Sequence, residues 1–98
     1  MIINKRQEAG KLTIYLEGRL DTSTSPQLLK ELGTALKGIT ELEFDLTLLE
    51  YISSAGLRVL LAAQKTMNDQ GTMIVKNPSE MVLEIFDITG FSDVLTIK

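Results

Sequence analysis

Residues 41–61 read Glu41-Leu42-Glu43-Phe44-Asp45-Leu46, then Thr47-Leu48-Leu49-Glu50-Tyr51-Ile52, then Ser53-Ser54-Ala55-Gly56-Leu57-Arg58-Val59-Leu60-Leu61. The first six alternate acidic with apolar side chains, the two-residue period of a strand with one buried face. In the last group the period changes. Leu57, Leu60 and Leu61, with Ala62 and Ala63 beyond them, form one wide apolar helical face, and Asn68-Asp69-Gln70-Gly71 supplies the stop. Thr47 to Ile52 is expected to be a short connection between the two. A strand that turns directly into a helix is the building unit of an α/β domain.

Working outward, residues 1–7 and 11–17 are two strands of an antiparallel hairpin turning at Ala9-Gly10, because Leu12, Ile14 and Leu16 alternate with Thr13, Tyr15 and Glu17. After Gly18 the run from Arg19 to Ser25 is a polar loop. A helix follows, capped either by Ser25 with Pro26 at its first position or by Thr24 with Gln27 three residues on. Leu28, Leu29, Leu32, Ala35 and Leu36 recur at helical spacing until Gly38. Thr72 to Lys76 is the next strand. Asn77-Pro78-Ser79-Glu80 starts another helix, with Asn77 as its cap, and Gly90 closes it. Val94 to Ile97 is a candidate final strand. The expectation is one α/β domain over residues 1–98, with a mixed sheet of four to five strands, an N-terminal hairpin and three to four helices.

Composition excludes whole classes of chemistry. The 98 residues contain neither His nor Cys, which removes Cys nucleophiles, Ser-His-Asp relays and zinc sites of nitrogen and sulfur ligands. Ten Lys and Arg against 13 Asp and Glu, without a basic cluster, do not suit a nucleic-acid surface. The longest apolar run, Val59 to Ala63, is far short of the roughly 20 residues of a membrane span. Met1 to Arg6 lacks the pattern of a secretory signal. These readings favour a cytoplasmic domain, and a chain of this size can bury roughly 60 to 70% of its unfolded surface without disulfides. Glu41, Glu43 and Asp45 read as a solvated strand face.

After a buried strand, hydroxyls, small residues and a helix start coincide only at Ser53-Ser54-Ala55-Gly56-Leu57. Ligands gather at such turns beyond the carboxyl ends of parallel strands. The unpaired N–H groups and partial positive charge of a helix start accommodate a phosphate there, so a serine at this turn is either a cap or a phosphoacceptor.

The stretch from Asp45 to Leu61, with its Ser53-Ser54-Ala55-Gly56-Leu57 centre, resembles the signature of the STAS family, the bacterial anti-sigma factor antagonists and their relatives. Gly18-Arg19-Leu20-Asp21 with Thr24, and Gly90-Phe91 with Val94 and Ile97, resemble that family's first loop and its ending. The resemblance implies a STAS fold and no catalytic residues. It also implies phosphorylation at the serine two residues before the glycine, Ser54, with Ser53 as the fallback, standing where many phosphorylated members carry Asp. The partner-binding residues would be Asp21, Thr22, Ser53, Ser54, Ala55, Gly56 and Arg58, although Asp21 is equally readable as a turn residue. The implied partners are an anti-sigma factor that is a serine kinase and a metal-dependent serine phosphatase, with ATP and magnesium belonging to the kinase and no cofactor to this chain. The other function the resemblance allows is a docking subunit, not phosphorylated, of a lipid-transport complex or signalling scaffold.

Overall fold

Strand and helix alternate along the chain as the periodicity predicts. The computed structural model describes residues 1–98. It contains β1 (Ile2–Glu8), β2 (Lys11–Leu20), α1 (Ser25–Ala35), β3 (Glu41–Ile52), α2 (Ser54–Gln70), β4 (Thr72–Lys76) and α3 (Glu80–Thr89), then a 3-10 turn at Phe91–Asp93. The sheet order is β1-β2-β3-β4, with β1 antiparallel to β2 and the other pairs parallel. Helices α1 and α2 are the two crossovers between parallel neighbours.

Alternation sets the two faces of the sheet. Leu12, Ile14, Leu16, Leu42, Phe44, Met73 and Val75 are buried in one apolar cluster, which Leu28 and Leu32 of α1, Leu60 and Met67 of α2, and Val82 and Phe86 of α3 complete. The opposite face is polar. There Glu41 is exposed as expected, but Glu43 and Asp45 are half-buried, with Glu43 lying between Lys76 at 3.1 Å and Lys11 at 3.7 Å, so ion pairing covers part of the face expected to be solvated.

The largest departure from the sequence reading is β3. Thr47 to Ile52 is not a connection; it continues the strand beside β2, which itself runs on through Arg19 to Leu20. Two bulges hide this. The step from Tyr15 to Glu17 on β2 faces Asp45 to Leu48 on β3, and Gly18 to Arg19 faces Leu49 to Tyr51, so β3 carries an extra residue at each place. Buried positions therefore fall at Leu46, Leu49 and Ile52, three residues apart, and the two-residue alternation is lost. The Asp45 carboxylate accepts from the Thr47 hydroxyl at 2.6 Å and the Thr47 N–H at 3.0 Å, which holds the first bulge.

Three smaller corrections concern ends. Ser79, not Asn77, caps α3, its hydroxyl accepting from Val82 N–H at 3.2 Å. Pro78 disfavours helical backbone at the residue before it, and Asn77 sits at φ 57 in the left-handed region. At α1 Thr24 occupies the cap position, but its hydroxyl donates to the Arg19 carbonyl and accepts from Asp21 N–H instead of capping. The candidate final strand reduces to one parallel bridge between Ile97 and Val75, because the 3-10 turn brings only the last residues alongside β4.

Two contacts close the far end of the helical layer. The Gln70 amide donates to the carbonyls of Leu36 at 2.7 Å and Ile39 at 2.6 Å, tying the end of α2 to the end of α1. Beside it, a Cβ on Gly71 would lie 1.8 Å from the Thr40 carbonyl oxygen, so only glycine fits. Gly33, inside α1, is the reverse case: a Cβ there would meet nothing within 4 Å. Gly33→Ala is expected to raise the unfolding free energy by roughly 0.5–1 kcal/mol, since glycine is costly in a helix interior. Gly71→Ala is expected to lower it by about 2 kcal/mol or more through backbone overlap. Urea denaturation of the two variants checks both signs.

Candidate functional site

The two adjacent serines at the start of α2 hold different positions. Ser53 has extended backbone (φ −98, ψ 176) and its hydroxyl accepts from Gly56 N–H at 3.4 Å, the arrangement of an N-cap. Its own N–H donates to the Leu20 carbonyl at 2.9 Å, so the turn is fastened to the end of β2. Ser54 is the first helical residue and is exposed, while Ser53 is half-buried. Capping thus falls to Ser53 and leaves the Ser54 hydroxyl facing solvent.

Gly56 is buried, although it was expected on the partner-binding surface. A Cβ on it would lie 2.8 Å from the Leu20 carbonyl oxygen, from the Leu20 side chain and from the Ile52 side chain. Glycine therefore lets the first turn of α2 sit directly on the ends of β2 and β3, and its contribution is this close approach. The first turn of α2 contains no acidic residue, so the partial positive charge of the helix start is not neutralised from within that turn.

Asp21 ends the extension of β2 and organises the loop ahead of α1. One carboxylate oxygen accepts from the Ser23 hydroxyl at 2.8 Å, Ser23 N–H at 3.0 Å and Thr24 N–H at 3.2 Å, with the Thr24 hydroxyl at 3.2 Å. The Ser23 hydroxyl, aided by the Thr24 and Ser23 amides and the Thr24 hydroxyl, holds the Asp21 carboxyl below the ordinary carboxylate range against an opposing desolvation effect. This is the turn role. The Ser25 hydroxyl donates to the Asp21 carbonyl at 2.5 Å, locking the same loop to α1.

Thr22 of this loop, Ser25 of α1 and Ala55, Arg58 and Val59 of α2 line one shallow cavity of about 310 Å³. The fold therefore brings Thr22, Ala55 and Arg58 together around one cavity, which Ser54 precedes in the chain but does not line, while Asp21 shapes the loop that carries Thr22. The sequence reading missed Tyr51 and passed over Arg19 as a contact residue. The Arg19 guanidinium lies 4.4 Å from the centre of the Tyr51 ring and 3.8 Å from Asp21. The signal was the strand length: only with β3 continuing to Ile52 does the parallel register set Arg19 beside Tyr51. The described residues contain no group of three or more His, Cys, Asp or Glu able to hold a metal, and no helix long and apolar enough to cross a membrane.

This arrangement of a four-stranded sheet, crossover helices and serine-bearing turn has known counterparts. Residues 2–98 match the model of the STAS domain. The chain belongs to the STAS domain family. Among curated proteins, the anti-sigma-B factor antagonist of Listeria monocytogenes is 31% identical over 97 residues, covering 96% of this chain and 84% of that one. The anti-sigma-B factor antagonist of Bacillus subtilis is 27% identical over 97 residues, covering 98% of this chain and 89% of its own. Among solved structures, the Bacillus cell fate determinant SpoIIAA in its phosphorylated form superposes with a TM-score of 0.77 over 99% of this chain and 91% of that chain, at 20% identity, a likeness of fold. The STAS domain here has a four-stranded mixed sheet, an N-terminal hairpin and three helices, within the four to five strands and three to four helices expected.

The division between the serines is measurable. Ser53→Ala is expected to lower the unfolding free energy of the STAS domain by about 1 kcal/mol through loss of the cap. Ser54→Ala is expected to change it by less than about 0.5 kcal/mol, as at an ordinary surface position. Parallel urea titrations check the difference; equal effects would contradict the assignment of the cap to Ser53.

Proposed function

We propose that the chain is an anti-sigma factor antagonist of a cytoplasmic partner-switching system. Its unmodified form binds an anti-sigma factor that is also a serine kinase, which frees the sigma factor. That kinase then phosphorylates Ser54, which ends the complex. The observation that carries this reading is the exposed Ser54 hydroxyl on the first turn of α2, next to a serine already committed to the cap. The names of the Listeria and Bacillus relatives support the antagonist role, and the phosphorylated form of SpoIIAA supports a modification compatible with this fold.

In the transfer, the Ser54 oxygen attacks the terminal phosphorus of ATP held with magnesium by the kinase. A new serine O–P bond forms, the bond to the ADP oxygen breaks, and the serine proton passes to a base of the kinase. This chain is the substrate and supplies position: a hydroxyl held on a rigid helix and open to solvent. A metal-dependent serine phosphatase reverses the modification by hydrolysis.

The phosphate adds about −1.5 to −2 charges at neutral pH. Within the free domain the helix start offsets part of that charge, so the fold persists. In a complex formed over Ser54, Thr22, Ala55 and Arg58 the same dianion has to be desolvated without a matching partner, so binding is lost while folding is kept.

Incubation with the kinase-type anti-sigma factor of its own organism and ATP is expected to add one phosphate per chain, detected by intact mass, and Ser54→Ala is expected to abolish it while Ser53→Ala retains it. An unchanged mass beside a kinase active on itself or on another substrate would contradict the reading, and a phosphate retained in Ser54→Ala would move the acceptor elsewhere.

A further inference from the structure

The layer of α1 and α2 contains an apolar trough that extends beyond the cavity lined by Thr22, Ala55 and Arg58. A cavity of about 250 Å³ between the helices, floored by Leu32, Leu36 and Ala63, adjoins the cavity beside Ser54, and the two share Leu29 and Ala62. Leu29 is 52% exposed at this seam. The trough follows α2 from Arg58 to Gln70, about 18 Å of helix at 1.5 Å per residue.

Charge along it has one sign. Lys37 and Arg58 line it and no acidic residue does. Lys30 and Lys65 are exposed on the same two helices. Of the acids there, Glu31 is held by Lys5 of β1 at 2.7 Å, which leaves Asp69. The protein as a whole carries a net charge of −3, so an apolar trough lined by two cations and no acid runs against the general balance.

Gly33 sits on the trough wall. Its Cβ would meet nothing within 4 Å, so no packing in the free domain requires glycine there, although glycine is the least favourable residue after proline inside a helix. Any larger side chain would project into the trough.

We propose that the trough is the docking groove for an amphipathic helix of the anti-sigma factor, with apolar residues at the i, i+3 or i+4, and i+7 spacing and acidic residues beside them. The inference rests on the antagonist function above. Helix-in-groove docking matches two adjoining apolar cavities between two helices, and acidic flanks match Lys37 and Arg58. The groove ends against Thr22 and Ala55, and Ala55 follows Ser54 in the chain, so a phosphate on Ser54 would add negative charge near that end and disfavour an acidic helix. Docking and switching then act on one ligand.

The test uses the full chain and the purified anti-sigma factor kinase, with affinity measured by calorimetry. Gly33→Leu is expected to keep or raise the melting temperature and to weaken the complex roughly tenfold or more. Lys37→Glu, a surface change that leaves the fold alone, is expected to weaken it as well, and Lys37→Arg to preserve it. A photoreactive residue at position 62 is expected to cross-link to an acidic amphipathic helix of the kinase. Wild-type affinity in both Gly33→Leu and Lys37→Glu overturns the groove, as does a cross-link to a segment that is not helical, a dimer of this chain joined through this face, or an acyl chain recovered from it. If those variants bind normally while Ser54 is still phosphorylated, the groove alone fails; if the wild-type chain neither binds the kinase nor accepts phosphate, the antagonist reading fails and the groove with it.

Discussion

The contact between Gly56 and the end of β2 is the constraint on which the geometry of the proposed site depends. With the Leu20 carbonyl 2.8 Å from where a Cβ would be, the first turn of α2 can sit on the strand ends only if that position is glycine. The same seating aligns Ser53 N–H with the Leu20 carbonyl and turns the Ser53 hydroxyl toward Gly56 N–H. Ser54, one residue further round the helix, then points away from the sheet into solvent. One missing methyl group thus connects sheet packing to the exposure of a hydroxyl.

Much of this was legible in the sequence, and the failures share a cause. Strand β4, helix α2 and the ending of α3 at Gly90 follow from periodicity and stop residues, because nothing in the tertiary structure disturbs their repeat. β3 was cut short because periodicity assumes an unbroken ladder, and two bulges place Leu46, Leu49 and Ile52 at spacings that no regular strand shows. Losing the second half of β3 also lost Tyr51 and its contact with Arg19, which exists only through the parallel register. At α3 the cap moved from Asn77 to Ser79 since both are good caps and Pro78 decides between them by restricting its neighbour. Gly56 was counted among surface residues because a motif shows where a residue falls along the chain and not which way its backbone packs.

The pair Ser53 and Ser54 shows what the structure adds to a motif. As a sequence, two adjacent serines before a helix are interchangeable candidates for cap and acceptor. In three dimensions the extended backbone of Ser53 permits its hydroxyl to turn back to the helix, and the helical backbone of Ser54 does not. A rigid helix start with an open hydroxyl, no acid in its first turn and the Thr22 loop beside it is a site where added charge has a local effect. The domain does not need to rearrange for a phosphate on Ser54 to alter the charge of the proposed binding surface.

The most direct test of that account is calorimetric titration of the anti-sigma factor kinase with the purified chain carrying phosphate at Ser54, beside the unmodified chain. The account predicts that the unmodified chain binds and the phosphorylated chain binds at least about a hundredfold more weakly, a difference of roughly 2.7 kcal/mol, with both chains folded. Equal affinity of the two forms would contradict it.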